Sequence, residues 1–130
     1  EKPRSADGHS LLPFLHGKPA EQWRDAVFFE HDFRNVRSQR VERALGITSD
    51  ECSYAAVRDD KYKYVHFTSL PQLLFDIADD PHEMNNLAGR NDFASVELAY
   101  AQKLLSWRLL NQERILTNMH VGEGGLYVHA

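Results

Sequence analysis

The sequence has little of what staples a chain, spans a membrane or coats a nucleic acid. Cys52 is the single cysteine in 130 residues, so no disulfide can form within the chain and nothing favours an oxidising compartment. No apolar run approaches the roughly 18 residues of a membrane-spanning helix, so no membrane partner is expected. Positive charge is not in excess: 15 Lys and Arg against 19 Asp and Glu leave a net charge of -4, which argues against nucleic acid as a partner. The seven histidines lack ligand spacing. His9, His16, His31, His66, His82, His120 and His129 show neither H-x-x-x-H nor H-x-x-E-H, so no metal site is expected. No signal peptide opens the chain, and a cytoplasmic location is the expectation. The opening Glu1–Ala6 reads as a cut inside a longer polypeptide. No repeat divides the chain, which is long enough for one domain with a real core, residues 1–130.

What is there is organised around residues 54–87. Ser53–Arg58 and Tyr62–Phe67 read as two strands joined at Asp59-Asp60, an acidic hairpin turn. Leu70-Pro71 interrupts, because proline cannot donate to a ladder. Leu73–Ile77 resumes the pattern, and Asp79-Asp80-Pro81-His82-Glu83 closes it with turn chemistry. Upstream, residues 1–25 form a lead-in in which Ser10 caps a short helix over Leu11–Leu15 and Gly17 stops it. Trp23 is expected to be a buried anchor. Ala26–Phe33 is the first strand, with Val27, Phe29, His31 and Phe33 expected on the buried face and Phe28, Glu30 and Asp32 on the other. Ser38–Leu45 suits a short helix ended by Gly46.

Residues 91–116 form the one long helix, capped by Asn91 or Asp92. Phe93, Val96, Tyr100, Leu104 and Trp107 make one stripe; Leu98, Ala101, Leu105 and Leu109 make an adjoining one. The two together read as a wide apolar face lying across a sheet. The tail, residues 117–130, carries Gly122, Gly124 and Gly125 and is expected to be flexible. It would pair with a sheet edge or reach another subunit, giving a homo-oligomer. The expected class is α+β: about four antiparallel strands across residues 26–90, with the long helix packed on one face.

Three stretches carry a family resemblance: Asp7-Gly8-His9-Ser10-Leu11-Leu12-Pro13-Phe14-Leu15, Arg58-Asp59-Asp60-Lys61-Tyr62-Lys63-Tyr64-Val65, and Leu73-Leu74-Phe75-Asp76-Ile77-Ala78-Asp79-Asp80-Pro81-His82-Glu83-Met84-Asn85-Asn86-Leu87-Ala88. In that order they resemble the C-terminal region of the sulfatase branch of the alkaline phosphatase superfamily. That region carries D-G-x-S-L-L-P-L-L, R-x-x-x-Y-K-Y and L-Y-D-L-x-x-D-P-x-E-x-x-N-L-A. The spacing is most similar to phosphonate monoester hydrolase and phosphodiesterase-like members. The resemblance implies a large N-terminal catalytic domain in the same polypeptide, hydrolysing sulfate, phosphate or phosphonate esters with a divalent metal and a formylglycine. This part would brace that domain and wall its active-site cleft.

No catalytic residue is expected in the chain itself. The family's formylglycine arises from the cysteine of C-x-P/A-S-R, whereas Cys52 stands in Cys-Ser-Tyr-Ala-Ala and reads as a buried structural thiol. The pairs Asp59-Asp60 and Asp79-Asp80 fall in turns, where aspartate is ordinary. Arg34, Arg37, Arg40 and Arg43 recur every three residues, which suits either a solvated basic face or an anion-facing loop. If any residues face substrate, they are His31, Arg34, Arg37 and Arg40. Phe29, Phe33, Tyr62, Tyr64 and His66 are the candidates for the domain interface. His31 and His66 could be neighbours across the sheet. Two competing readings are a stand-alone binding or oligomerisation module, and an acid–base enzyme using His31 with Glu30 or Asp32. The second is disfavoured because adjacent strand residues face apart.

Overall fold

A computed structural model describes residues 10–18, 23–111 and 119–128. Four strands run in sequence order as an antiparallel meander: β1 (Val27–Asp32), β2 (Ser53–Arg58), β3 (Tyr62–Phe67) and β4 (Leu73–Asp76). Before β1 lies a single helical turn, α1 (Leu12–Leu15), whose Leu12 N–H bonds the Ser10 hydroxyl. Between β1 and β2 sits α2 (Arg40–Leu45). It ends at Gly46, where φ is +69°, a left-handed conformation that glycine adopts without a Cβ penalty. The long helix α3 (Ala94–Asn111) follows a 3-10 turn at Asn91–Phe93. Its expected continuation to Leu116 falls outside the described residues.

The β2–β3 hairpin closes on the Asp59 side chain. Its Oδ1 accepts the N–H groups of Lys61 and Tyr62, each at 3.0 Å, so an acidic residue does here what Asn-Gly does elsewhere. Register then follows: Val57 faces Phe28 on one side and Tyr64 on the other, and Tyr64 faces Leu74. Those four share the face covered by α3. The core comprises Ala26, Ala55, Val57, Tyr64, Leu74, Leu87 and Leu104, with Phe28, Tyr62, Phe93, Val96, Tyr100 and Ala101 packed around it. Trp107 stacks flat on Phe28, centroids 4.8 Å apart.

This reverses the expected orientation of β1. Phe28 meets the helix, while Val27 and Phe29 are on the open side. Each face of this strand carries a phenylalanine, and although Glu30 and Asp32 share the face of Phe28, the position of α3 makes Phe28 the packed one. The helix differs from its expected form in the same way. Leu104 is 4 % exposed and Leu105 58 % exposed; Leu98 and Leu109 are exposed with Leu105. The wide stripe is therefore two faces, one turned inward and one outward. Trp23 is not a buried anchor: it is 39 % exposed, edge-on to Phe14 at 4.7 Å with the Arg24 guanidinium 5.1 Å from its ring.

At the far edge, the Asp79–Leu87 segment folds against β4. Asp80 accepts the Asn85 backbone N–H at 2.8 Å, Asn86 accepts from Leu74 N–H at 2.9 Å, and Leu87 N–H reaches the Leu74 carbonyl at 2.8 Å. The edge of the sheet is thereby covered. The tail forms its own hairpin, β5 (Met119–Gly122) with β6 (Gly125–Val128), instead of joining the main sheet. The Tyr127 ring lies against Gly122 and Gly124, where any Cβ would collide with it.

Candidate functional site

The open face of the sheet carries an aromatic cluster built by period-2 alternation. Tyr54, in the middle of β2's start, sits 6.0 Å from Phe29, 5.7 Å from His31, 6.2 Å from Phe33 and 5.4 Å from Phe67, centroid to centroid. Phe33 and Phe67 also meet edge-on at 6.4 Å. Phe29 is 40 % exposed, and Phe33, Tyr54 and Phe67 are half-buried. Offset and edge contacts of this kind are each worth about 0.5–1.5 kcal/mol, so the rings support one another on this face.

Of the five interface candidates, Phe29 and Phe33 lie on this open face. Tyr62 and Tyr64 are on the other: Tyr64 is 2 % exposed beneath the helix core, and Tyr62 packs edge-on to Tyr100 at 5.6 Å. Their partner is this chain's own helix. His66 shares their face but projects past the covered part and is exposed; its Nδ1 lies 3.1 Å from the Tyr64 hydroxyl. His31 and His66 are on opposite faces, because His31 pairs in register with Tyr54, and His66 with Ala55.

The loop between β1 and β2 presents the arginines. Arg34 is held by Asp32 at 2.6 Å and is exposed; its backbone N–H first, then its guanidinium, keep the Asp32 carboxyl below the usual aspartate value against the opposing effect of burial. Arg37 and Arg40 project into solvent, and Arg43 reaches the Ser38 carbonyl. Arg40 borders a shallow concavity with Asn35, Val41, Ala44 and Leu45. His31 borders a different one, of about 260 Å³, with Glu30, Asp32, His66 and Arg108. Of the four substrate-facing candidates, His31 and Arg40 thus border different hollows, and Arg34 and Arg37 border neither of these two. Buried Glu42 organises this loop: its Oε1 accepts from Asn35 N–H at 2.9 Å and the Ser49 hydroxyl at 3.2 Å, while Oε2 is buried without a donor. Sequence pattern alone did not single out Glu42, since a glutamate in a charged helix ordinarily reads as solvated.

Cys52 is buried, its thiol 3.4 Å from the Thr48 carbonyl, and burial pushes its pKa up. An inert structural thiol follows. One acid of each pair is taken up by the fold. Asp59 binds the Tyr100 hydroxyl at 2.5 Å with Lys103 at 3.5 Å, and Asp80 is occupied by Asn85. Among the described residues no three His, Cys, Asp or Glu side chains gather to hold a metal. No described helix is long and apolar enough to cross a membrane.

Residues 1–110 match the family model described as N-sulphoglucosamine sulphohydrolase, C-terminal. The chain belongs to that family of sulfatase C-terminal regions. It is 46 % identical over 127 residues to the multifunctional alkaline phosphatase superfamily protein PehA of Trinickia caryophylli, covering 97 % of this chain and 24 % of that protein. The phosphonate monoester hydrolase of Agrobacterium radiobacter superposes with a TM-score of 0.76 at 44 % identity, over 95 % of this chain and 25 % of that one. A phosphonate monoester hydrolase from Silicibacter pomeroyi gives 0.77 at 27 % identity, over 98 % and 26 %. The sulfatase C-terminal region thus spans about a quarter of the length of these relatives. Its motifs now have physical roles: Tyr62 and Tyr64 floor the helix, Asp80 and Asn86 build the exit turn, and Glu83 binds Lys63 at 2.5 Å across the sheet.

Proposed function

We propose that this chain is the C-terminal subdomain of a longer hydrolase acting on sulfate, phosphate or phosphonate esters, and that it braces the catalytic domain and walls the active-site cleft. The observation that carries this reading is the likeness, along nearly the whole chain, to phosphonate monoester hydrolase at 44 % identity. The partly exposed aromatic face around Tyr54 supports it, because a sheet that is apolar on both sides needs cover on both. The divalent metal and formylglycine would belong to the rest of the polypeptide. Cys52 lacks the motif, and Asp59 and Asp80 are engaged within the fold, so no step of the reaction is assigned to these residues. His31, Arg34, Arg37 and Arg40 would face the cleft, where guanidinium groups suit an anionic ester. A homo-oligomer through residues 117–130 is part of the same proposal.

The test compares two proteins on p-nitrophenyl esters. The longer polypeptide should turn them over, and this 130-residue chain should not. Turnover by the short chain alone would refute the division of labour. In the longer protein, joint Arg37→Ala and Arg40→Ala substitution should raise KM with little change in kcat if the loop meets substrate. An unchanged KM would remove the loop from the wall.

A further inference from the structure

The outward side of α3 is unlike that of a surface helix. Such a helix turns charge to water, yet each of the three charged residues of α3 is bound to its own chain. Glu97 accepts the Gly89 N–H at 2.8 Å, Lys103 binds Asp25 at 3.2 Å and Asp59 at 3.5 Å, and Arg108 binds Glu30 at 2.5 Å. Arg108 stays 59 % exposed beside its Glu30 partner, at the border of the outer face; the rest of that face is uncharged, with Leu98, Leu105 and Leu109 along one half and Ser95, Gln102 and Ser106 along the other, all exposed. From Leu98 to Leu109 this stripe is about 16 Å long at 1.5 Å per residue.

We infer that the outer face of α3 is a docking seam for an uncharged, apolar surface of the same longer polypeptide, so that α3 is an interior helix sandwiched between this sheet and that body. This rests on the proposed function, and it names a second covered face in addition to the aromatic one. Two observations choose the occupant. Superposable relatives are about four times as long as the matched part, with coverage of 25 % and 26 %, so ample chain lies outside it. The stripe offers no charge to a charged partner, and a charged group buried there would stay unpaired. Small Ser95 and Ser106 beside the leucines leave room for close approach of another backbone.

The seam can be read with thiol labelling, since native Cys52 is buried and contributes little background. Leu105→Cys, with the milder Ser106→Cys as a second variant, is compared with Lys18→Cys as an exposed control. In the longer polypeptide as a monomer, maleimide should label both α3 cysteines at least about tenfold more slowly than the control. Labelling as fast as the control would overturn the inference. Protection that appears only as concentration rises would assign the seam to a second copy and also overturn it. The proposed function fails separately, if no longer polypeptide carries this chain or if that polypeptide does not hydrolyse the esters.

Discussion

Asp59 is the residue on which most local structure converges. It closes the β2–β3 turn through two backbone N–H groups, and its Oδ2 binds Tyr100 and Lys103 from α3. Burial works against its charged form, but the Tyr100 hydroxyl, the two N–H groups and Lys103 outweigh it and hold the carboxyl below 3.8. The same contact, behind burial itself, pushes the Tyr100 phenol upward. Because the folded Asp59 pKa is depressed, the unfolded chain binds more protons in the interval between the two values. Stability from this group is therefore complete above the ordinary aspartate range and is lost as pH falls through the lowered pKa. Tyr100→Phe should cost about 1–2 kcal/mol near neutral pH and flatten the acid limb of stability against pH, measured by urea unfolding between pH 2 and 7. An unchanged acid limb would mean that the hydroxyl does not set the Asp59 pKa. Glu51 adds to the same limb from the surface. The Ser69 hydroxyl, then the Thr48 N–H and hydroxyl, bring its pKa down to about 2, so Glu51→Gln should lose stability above the ordinary glutamate range, leave stability near pH 2 nearly unaltered, and so flatten the acid limb.

At the scale of elements, α3 distinguishes residues that sequence pattern cannot. Leu104 and Leu105 both sit on apolar stripes at helical spacing, and the expectation from pattern is the same large cost for truncating either. Their exposures of 4 % and 58 % separate them. Leu104→Ala should destabilise this chain by about 2–5 kcal/mol, whereas Leu105→Ala should stay within about 0.5 kcal/mol. Chemical denaturation of both variants checks the pair, and equal losses would contradict the placement of α3. The strands were legible for a related reason. Ser53–Arg58 and Tyr62–Phe67 coincide with β2 and β3 because β-branched and aromatic runs bounded by an acidic turn leave one reading. Facing was not legible: β1 carries a phenylalanine on each side, two acids share the face of Phe28, and a helix some sixty residues downstream still makes that side core. The candidate site was legible only in parts. Phe29 and Phe33 were found, but Tyr54 and Phe67 join them through register, which no local pattern states.

For the whole molecule, apolar side chains lie open on several sides: Leu11 and Leu15 at α1, Phe29 on the sheet, Leu98 and Leu105 on α3. Patches of this kind mark contact surfaces. The isolated chain should bind an apolar dye such as ANS strongly, and Phe29→Ser with Leu105→Gln should lower the signal together by more than either alone. Fluorescence no higher than that of a compact control protein would show that the faces close on one another. The motifs, the strand boundaries, the short α2 stopped at Gly46 and the lack of a nucleophile motif at Cys52 were determined by sequence alone, because turn chemistry and alternation act over a few residues. Only the tertiary structure decided that Phe28 and not Phe29 is core, that His31 and His66 face apart, that Asp59 is engaged by α3, and that each of the three charges of α3 finds a partner in its own chain. Those outcomes depend on which distant elements meet, and contact between distant elements is set by packing of the folded chain as a whole.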